Sequence, residues 1–244
     1  AATDAAYQIS VGAATQIPLT GWGAGTWGAG TWGNGADSST SLRLWSQSNF
    51  GEDLVFGFKG SPVYYWDATN GVSSSGADIG VLLSSLGGAS DVPTAQNLIL
   101  VSDINRFVFC FGANTLGTSV QDPMLIRWSD QESAVDWTPS AINQAGSLRL
   151  SRGSEIIAAN QSRQAVMVWT DTAAYSLQFL GGQLGWGAQL VSDNISITSS
   201  NAVAYANGVS YWMGKDKFYI YNGNVQALKC DLLRYVFNDI NWQQ

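Results

Sequence analysis

Apolar residues alternate with polar ones, or form short runs, along most of the chain. Four pairs of such segments flank short polar turns: 54–58 with 63–66, 98–101 with 106–111, 165–169 with 174–179, and 209–213 with 217–221. A period of two is typical of β-strands, and the Gly, Asn, Asp and Ser residues between the segments tolerate tight turns. The pattern predicts four antiparallel β-hairpins.

The hairpins recur at nearly regular intervals. Their turns lie near residues 60, 104, 171 and 215, about 44, 67 and 44 residues apart. Antiparallel strands that repeat about every 40–45 residues are typical of β-propeller blades. We therefore predict an all-β, β-propeller-like array over residues 42–244, with a β-sandwich as the alternative. The longer interval predicts an inserted element over residues 123–151, and four blades predict that the chain is part of a longer protein.

One segment near the end of the chain has a helical period instead. Leu233, Val236, Phe237 and Ile240 fall on one face of a helix, and Asp231 is placed to cap its N-terminus. We predict one short C-terminal helix whose apolar face packs on the β domain.

Residues 1–41 form a separate, glycine-rich and tryptophan-rich arm. It contains a repeat of five residues that places Trp22, Trp27 and Trp32 in identical surroundings. Glycine at three of five positions excludes a stable helix, and an odd repeat turns successive rings to opposite faces of a strand. We interpret the repeat as an ordered loop. Its rings could contact a neighbouring subunit, pack on their own domain, or stack on sugars.

Composition excludes several functions. The chain has no His, so neither a Ser-His-Asp site nor a His-ligated metal or haem can be built. Its net charge of −7, from 11 basic and 18 acidic residues, argues against a basic face that grips DNA. Cys110 and Cys230 predict two buried free thiols, with a disulfide as the alternative. We predict no cofactor, no metal and no insertion into a membrane.

Three carboxylates lie close together in the sequence: Asp130, Glu132 and Asp136. A glycosidase needs two carboxylates about 5–10 Å apart in a cleft. The alternative is a polar turn in which the Asp and Ser side chains bond backbone amides, with Trp128 and Trp137 as flanking anchors. We favour the polar turn and expect no enzymatic activity.

An ordered set of motifs is similar to a known family. The set comprises Leu125-Ile-Arg-Trp-Ser-Asp-Gln-Glu-Ser133, Asp136-Trp-Thr-Pro139, Asn143-Gln-Ala-Gly-Ser-Leu-Arg-Leu150, Val168-Trp-Thr-Asp-Thr-Ala-Ala-Tyr175 and Tyr211-Trp-Met-Gly214. It resembles the tail nozzle, or tail hub (packaged-DNA stabilisation), proteins of short-tailed bacteriophages. The resemblance implies β-propeller modules, a hexameric ring below the portal and a central channel for the genome. It implies no catalytic residues.

An acidic, weakly charged protein suits such a conduit because it repels phosphate and can bury large, charge-depleted interfaces. We therefore predict a structural protein of the virion tail. It would assemble with itself, contact portal-adaptor or other tail proteins, and let DNA pass without specific binding. The candidate interface residues are Trp22, Trp27, Trp32, Trp128 and Trp137. The alternatives are a carbohydrate-binding tail adhesin or lectin-like propeller and, third, a glycoside hydrolase.

Overall fold

The computed structural model describes residues 44–70, 80–103 and 105–240 of the 244-residue chain. The arm over residues 1–41 lies outside these ranges. Nearly all regular structure in the described residues is β-strand, together with three short 3-10 turns and one short α-helix. The predicted all-β class is therefore confirmed.

The strands form four antiparallel sheets, each made of four strands that follow one another in the chain. Sheet 1 contains β1 (Trp45–Phe50), β2 (Asp53–Phe58), β3 (Tyr64–Trp66) and β4 (Val81–Leu82). Sheet 2 contains β5 (Leu98–Val101), β6 (Val108–Phe111), β7 (Leu125–Trp128) and β8 (Gly146–Arg149). Sheet 3 contains β9 (Ile156–Gln161), β10 (Val166–Thr170), β11 (Ala173–Phe179) and β12 (Trp186–Asp193). Sheet 4 contains β13 (Val203–Ala206), β14 (Val209–Met213), β15 (Phe218–Tyr221) and β16 (Val225–Ala227).

The first strands of the four sheets lie side by side. Strand β1 contacts β5, β5 contacts β9, and β9 contacts β13. The hydroxyl oxygens of Ser46 and Ser48 in β1 accept hydrogen bonds from the N–H groups of Ile99 and Val101 in β5, each at 3.0 Å. Four-stranded sheets stacked with their first strands side by side have the arrangement of propeller blades, so the array is β-propeller-like and not a two-layer sandwich.

The four predicted hairpins are confirmed as β2–β3, β5–β6, β10–β11 and β14–β15. Three of them are the middle strands of a sheet, whereas β5–β6 is the first pair of sheet 2. This offset produced the uneven spacing in the sequence. The predicted insertion over residues 123–151 is wrong, because that segment contains β7 and β8, the other two strands of sheet 2.

Apolar layers fill the spaces between successive sheets. In β6, the first and third residues belong to the layer between sheets 1 and 2, and the second and fourth belong to the layer between sheets 2 and 3. Strand β10 divides its residues in the same way between the layers on either side of sheet 3. Successive side chains of a strand point to opposite faces. Sheets buried on both faces therefore require continuous apolar runs.

The C-terminal helix α1 (Leu233–Asp239) is confirmed and has seven residues. The four residues predicted on its apolar face are partly buried, whereas its other side chains are exposed. The rings of Phe237 and Phe218 pack with centroids 5.3 Å apart. In the described ranges, no helix has the length and apolarity needed to cross a membrane.

Both cysteines are free. Cys110 is buried in β6, as predicted, and burial raises the pKa of its thiol far above the usual value, which favours the unreactive thiol form. Cys230 is only partly buried, so the prediction of two buried thiols is correct for one of them.

Candidate functional site

The segment between β7 and β8 is a polar turn held by its own carboxylates. Asp130 Oδ1 accepts a hydrogen bond from the N–H of Gln144 at 2.7 Å. Asp136 accepts one from Ser90 Oγ at 2.7 Å and another from Asn143 Nδ2 at 3.0 Å. The N–H of Asp130 also donates to the carbonyl oxygen of Asp136 at 2.8 Å. The polar turn predicted from the sequence is confirmed.

The third carboxylate of this segment, Glu132, points to solvent. Its side chain is 61% exposed and lies 3.5 Å from Arg106 Nη1. A surface ion pair of this kind contributes little stability, on the order of 0–1 kcal/mol. Asp130 and Asp136 therefore hold the turn, while Glu132 stands apart from them.

Hydrogen bonds lower the pKa of several aspartates, among them Asp122, Asp136 and Asp171. Burial alone would raise each pKa. For Asp136, however, the hydrogen bonds from Ser90, Asn143 and a backbone N–H outweigh burial, because they favour the charged form. These three carboxylates therefore bind protons less readily in the folded protein than in the unfolded chain.

Stability is expected to be nearly independent of pH from about 8 to about 5 and to fall in acid. The pKa of each of these aspartates is lower in the folded state than its unfolded value of about 3.9, so its contribution is complete above that value. The contribution is lost as the pH falls through the folded pKa. Because the chain has no His, no imidazole titrates at intermediate pH. Urea unfolding at a series of pH values measures this, and a steep change between about pH 6 and 7 would contradict the expectation.

Trp128 and Trp137 are core residues. Their exposed fractions are 3% and 1%, and they pack in the layers on either side of sheet 2. Their Nε1 atoms donate hydrogen bonds to the carbonyl oxygens of Gln144 at 2.8 Å and Ala134 at 2.7 Å. Neither ring offers a face to another molecule, so they are packing anchors and not interface residues. The other three candidates, Trp22, Trp27 and Trp32, lie outside the described residues.

Large apolar side chains are exposed on two touching connections. Ile142, between β7 and β8, is 97% exposed, and Leu180 and Leu184, between β11 and β12, are 58% and 72% exposed. A Cβ added to Gly185 would lie 3.2 Å from the carbonyl oxygen of Gln144, so the two connections meet. We call Ile142, Leu180 and Leu184 the apolar rim. Exposed apolar residues on neighbouring connections are a candidate interaction surface.

A groove lies between sheets 3 and 4 and reaches the turn between β5 and β6 of sheet 2, where Asp103 lines it. It consists of two cavities of about 490 and 340 Å³, which share Ser162, Arg163, Tyr205 and Gly208. The groove residues come from segments far apart in the sequence. The hydrophobic pattern did not reveal them, since their spacing has no local period.

Comparisons with known proteins give no family for this chain. No family model matches the sequence, and no curated protein matches it. One similar solved structure is the crystal structure of Kluyvelomyces marxianus Hsv2, with 8% sequence identity and a TM-score of 0.40. The match covers 72% of this chain and 44% of the Hsv2 chain, so this chain spans less than half of that protein. The class follows from the four sheets themselves: a β-propeller-like protein.

Proposed function

We propose that this β-propeller-like protein is a structural component of a bacteriophage tail. In this proposal it is a nozzle or hub protein that assembles into a hexameric ring in the virion and forms a conduit for genome ejection. The motif set over residues 125–150, 168–175 and 211–214 suggests the class, and the apolar rim supports assembly. Portal-adaptor and other tail proteins would be its neighbours. The protein would act without catalysis.

The apolar rim is the observation that carries the proposal. Burying a large aliphatic side chain contributes about 1.5–3 kcal/mol, so covering three of them favours association. Only 12% of the residues are charged, which lowers the cost of removing the surrounding surface from water. We assign the rim to contact with the next copy of this chain.

A second exposed apolar site could receive the rim of a neighbour. Leu116 and Val120, between β6 and β7, are 46% and 71% exposed. Successive connections of an antiparallel sheet emerge at opposite ends, so this site lies at the other end of sheet 2 from Ile142. A ring needs two different, complementary surfaces on each copy. In this proposal the rim of one copy contacts this second site of the next.

The charge distribution suits a channel that releases DNA. Phosphate contacts come mainly from Lys and Arg, and this chain has 11 of them against 18 Asp and Glu. The four first strands, β1, β5, β9 and β13, contain no charged residue. We therefore expect weak, transient contact with DNA.

Replacing both Ile142 and Leu184 by Asp is expected to break the ring into single chains. Two carboxylates would have to be buried unpaired at each contact, which costs more than the contact gains. Light scattering on a sizing column measures the mass. Leu232→Asp is the matched control, because Leu232 is 65% exposed but lies outside the rim. Retention of the ring by the double variant, or equal disruption by Leu232→Asp, would contradict the assignment of the rim.

A further inference from the structure

The groove between sheets 3 and 4 has a notch formed by one row of residues in sheet 4. Ser210 in β14 pairs directly with Tyr205 in β13 and with Tyr221 in β15. Residues opposite one another in neighbouring strands share a face of the sheet. A small serine therefore lies between two tyrosines, and the difference in size leaves open space above Ser210.

Sheet 3 presents a similar row across the groove. Met167 in β10 pairs with Ser176 in β11, and Gln178 lies two residues further along the same face. All three line the groove together with the notch residues. Met167 and Ser176 are 2% and 6% exposed, whereas Gln178 is exposed at the mouth. Met167 and Ser176 therefore form the buried floor of the groove, and Gln178 lies at its open mouth.

The groove begins where the tryptophan packing between the two sheets ends. Trp169 lies two residues after Met167 in β10, and Trp212 lies two residues after Ser210 in β14. Their rings fill the space between the sheets, with centroids 5.6 Å apart and exposures of 0% and 2%. Where Met167 and Ser210 take the places of these two rings, dry packing gives way to an open cavity. The groove is thus a specific feature of these two rows.

Its polar groups are available to a ligand. The hydrogen bonds of the described residues include none to the hydroxyl groups of Ser176 and Ser210, which are both at least nine-tenths buried. Among the described residues, no carboxylate forms an ion pair with the guanidinium of Arg163. The Tyr205 hydroxyl accepts a hydrogen bond from the N–H of Arg163 at 3.1 Å, which holds this ring at the mouth. Among the described residues, the fully buried polar atoms that lack a partner include neither serine hydroxyl, so both hydroxyls are open to the groove and can bond a polar molecule that enters it.

We propose that this groove binds a neutral oligosaccharide. A sugar ring has apolar C–H faces that pack on aromatic rings, and Tyr205 and Tyr221 supply such rings. Its hydroxyl groups both donate and accept hydrogen bonds, as do serine hydroxyls and glutamine amides. The volumes of about 490 and 340 Å³ fall in the range of small-molecule sites, about 300–1,000 Å³. This site goes beyond the proposed ring and does not depend on it.

The charges of the groove favour a neutral ligand over a phosphate or a nucleic acid. Arg163 is its one basic residue among the described lining residues, and the carboxylate of Asp103 lines the same cavity. Phosphate recognition usually relies on several cations or on a bidentate arginine. A sugar recognised through hydroxyl groups needs no net charge.

The test is a glycan array of neutral and acidic oligosaccharides from bacterial surfaces, probed with the intact protein. The strongest neutral oligosaccharide is then titrated calorimetrically into the native protein and into Arg163→Ala with Gln178→Ala. These side chains are exposed, so the fold should persist. Arg152→Ala with Gln226→Ala removes the same two side-chain types from exposed positions outside the groove. We expect at least about a tenfold loss of affinity in the groove variant and no change in the control.

A second variant, Ser210→Leu, fills the notch and should abolish binding while circular dichroism shows a folded protein. Three results would overturn the proposal. They are no binding of any neutral oligosaccharide, unchanged affinity in the groove variant, and binding of inorganic phosphate or a deoxythymidine oligonucleotide in place of sugars. Ring assembly is measured separately by light scattering. A failure of sugar binding therefore does not contradict the proposed ring, and a failure of the ring does not contradict sugar binding.

Discussion

Replacing Trp169 by Ala is expected to lower the free energy of unfolding by about 3–5 kcal/mol. The ring is fully buried between sheets 3 and 4 and packs against Trp212. Its Nε1 atom has no hydrogen-bond partner in the described part of the chain. The loss therefore comes from buried apolar area and from the cavity left behind, because the two sheets cannot collapse fully onto an alanine.

Urea unfolding followed by circular dichroism measures this loss. Trp45→Ala is the matched control, since Trp45 is 42% exposed in β1 and contacts Phe58 at the edge of sheet 1. We expect the control to lose less than half as much stability. Equal losses for the two variants would show that the layer between sheets 3 and 4 does not hold the fold as described.

Replacing Arg127 by Ala is expected to cost about 3–5 kcal/mol. Its side chain is 1% exposed, and Nη2 donates hydrogen bonds to the carboxylate of Asp91 at 2.9 Å and to its carbonyl oxygen at 2.6 Å. Nη1 donates to the carbonyl oxygen of Asn114 at 3.3 Å. Removing the guanidinium takes away the donor to the carbonyl oxygens of Asp91 and Asn114 and opens a void in sheet 2, while the Asp91 carboxylate keeps the hydrogen bond from the N–H of Gly117 at 3.0 Å.

Arg149→Ala is the matched control. Arg149 lies in β8 of the same sheet, and its Nε is 2.6 Å from Asp122 Oδ2, but its side chain is 62% exposed. An exposed pair contributes about 0–1 kcal/mol because water and salt screen it. Thermal unfolding of both variants separates the two cases. Similar melting temperatures for Arg127→Ala and Arg149→Ala would contradict the role given to the buried arginine.

The four hairpins could be predicted from sequence because their strands are buried on one or both faces and joined by short turns. The residues of 108–111 and of 166–169 alternate between two apolar layers, so each segment is a continuous apolar run. Such a run is a clear peak in a hydropathy profile. Strand β4, Val81–Leu82, has only two residues, both exposed, and leaves no pattern. The uneven spacing of the hairpins did not reveal its own cause, which is that the hairpin seen in sheet 2 is formed by the first two strands of that sheet and not by its middle strands.

The functional surfaces were harder to predict. Trp128 and Trp137 attracted attention as large residues beside a polar turn, but sequence does not distinguish a buried ring from an exposed one. The groove joins Arg163, Gln178 and Tyr221, which meet only because sheets 3 and 4 stack. Ser210 gave no signal, since its role depends on the tyrosines paired across two strands.

We expect copies of this chain to form a closed ring, and the mass and symmetry of the native protein in solution test this most directly. Light scattering should give a mass close to six chains, and electron microscopy should show rings with a central channel. The same sample should bind DNA weakly at physiological salt. A protein that stays monomeric at high concentration, with no symmetric particle in the images, would contradict the account.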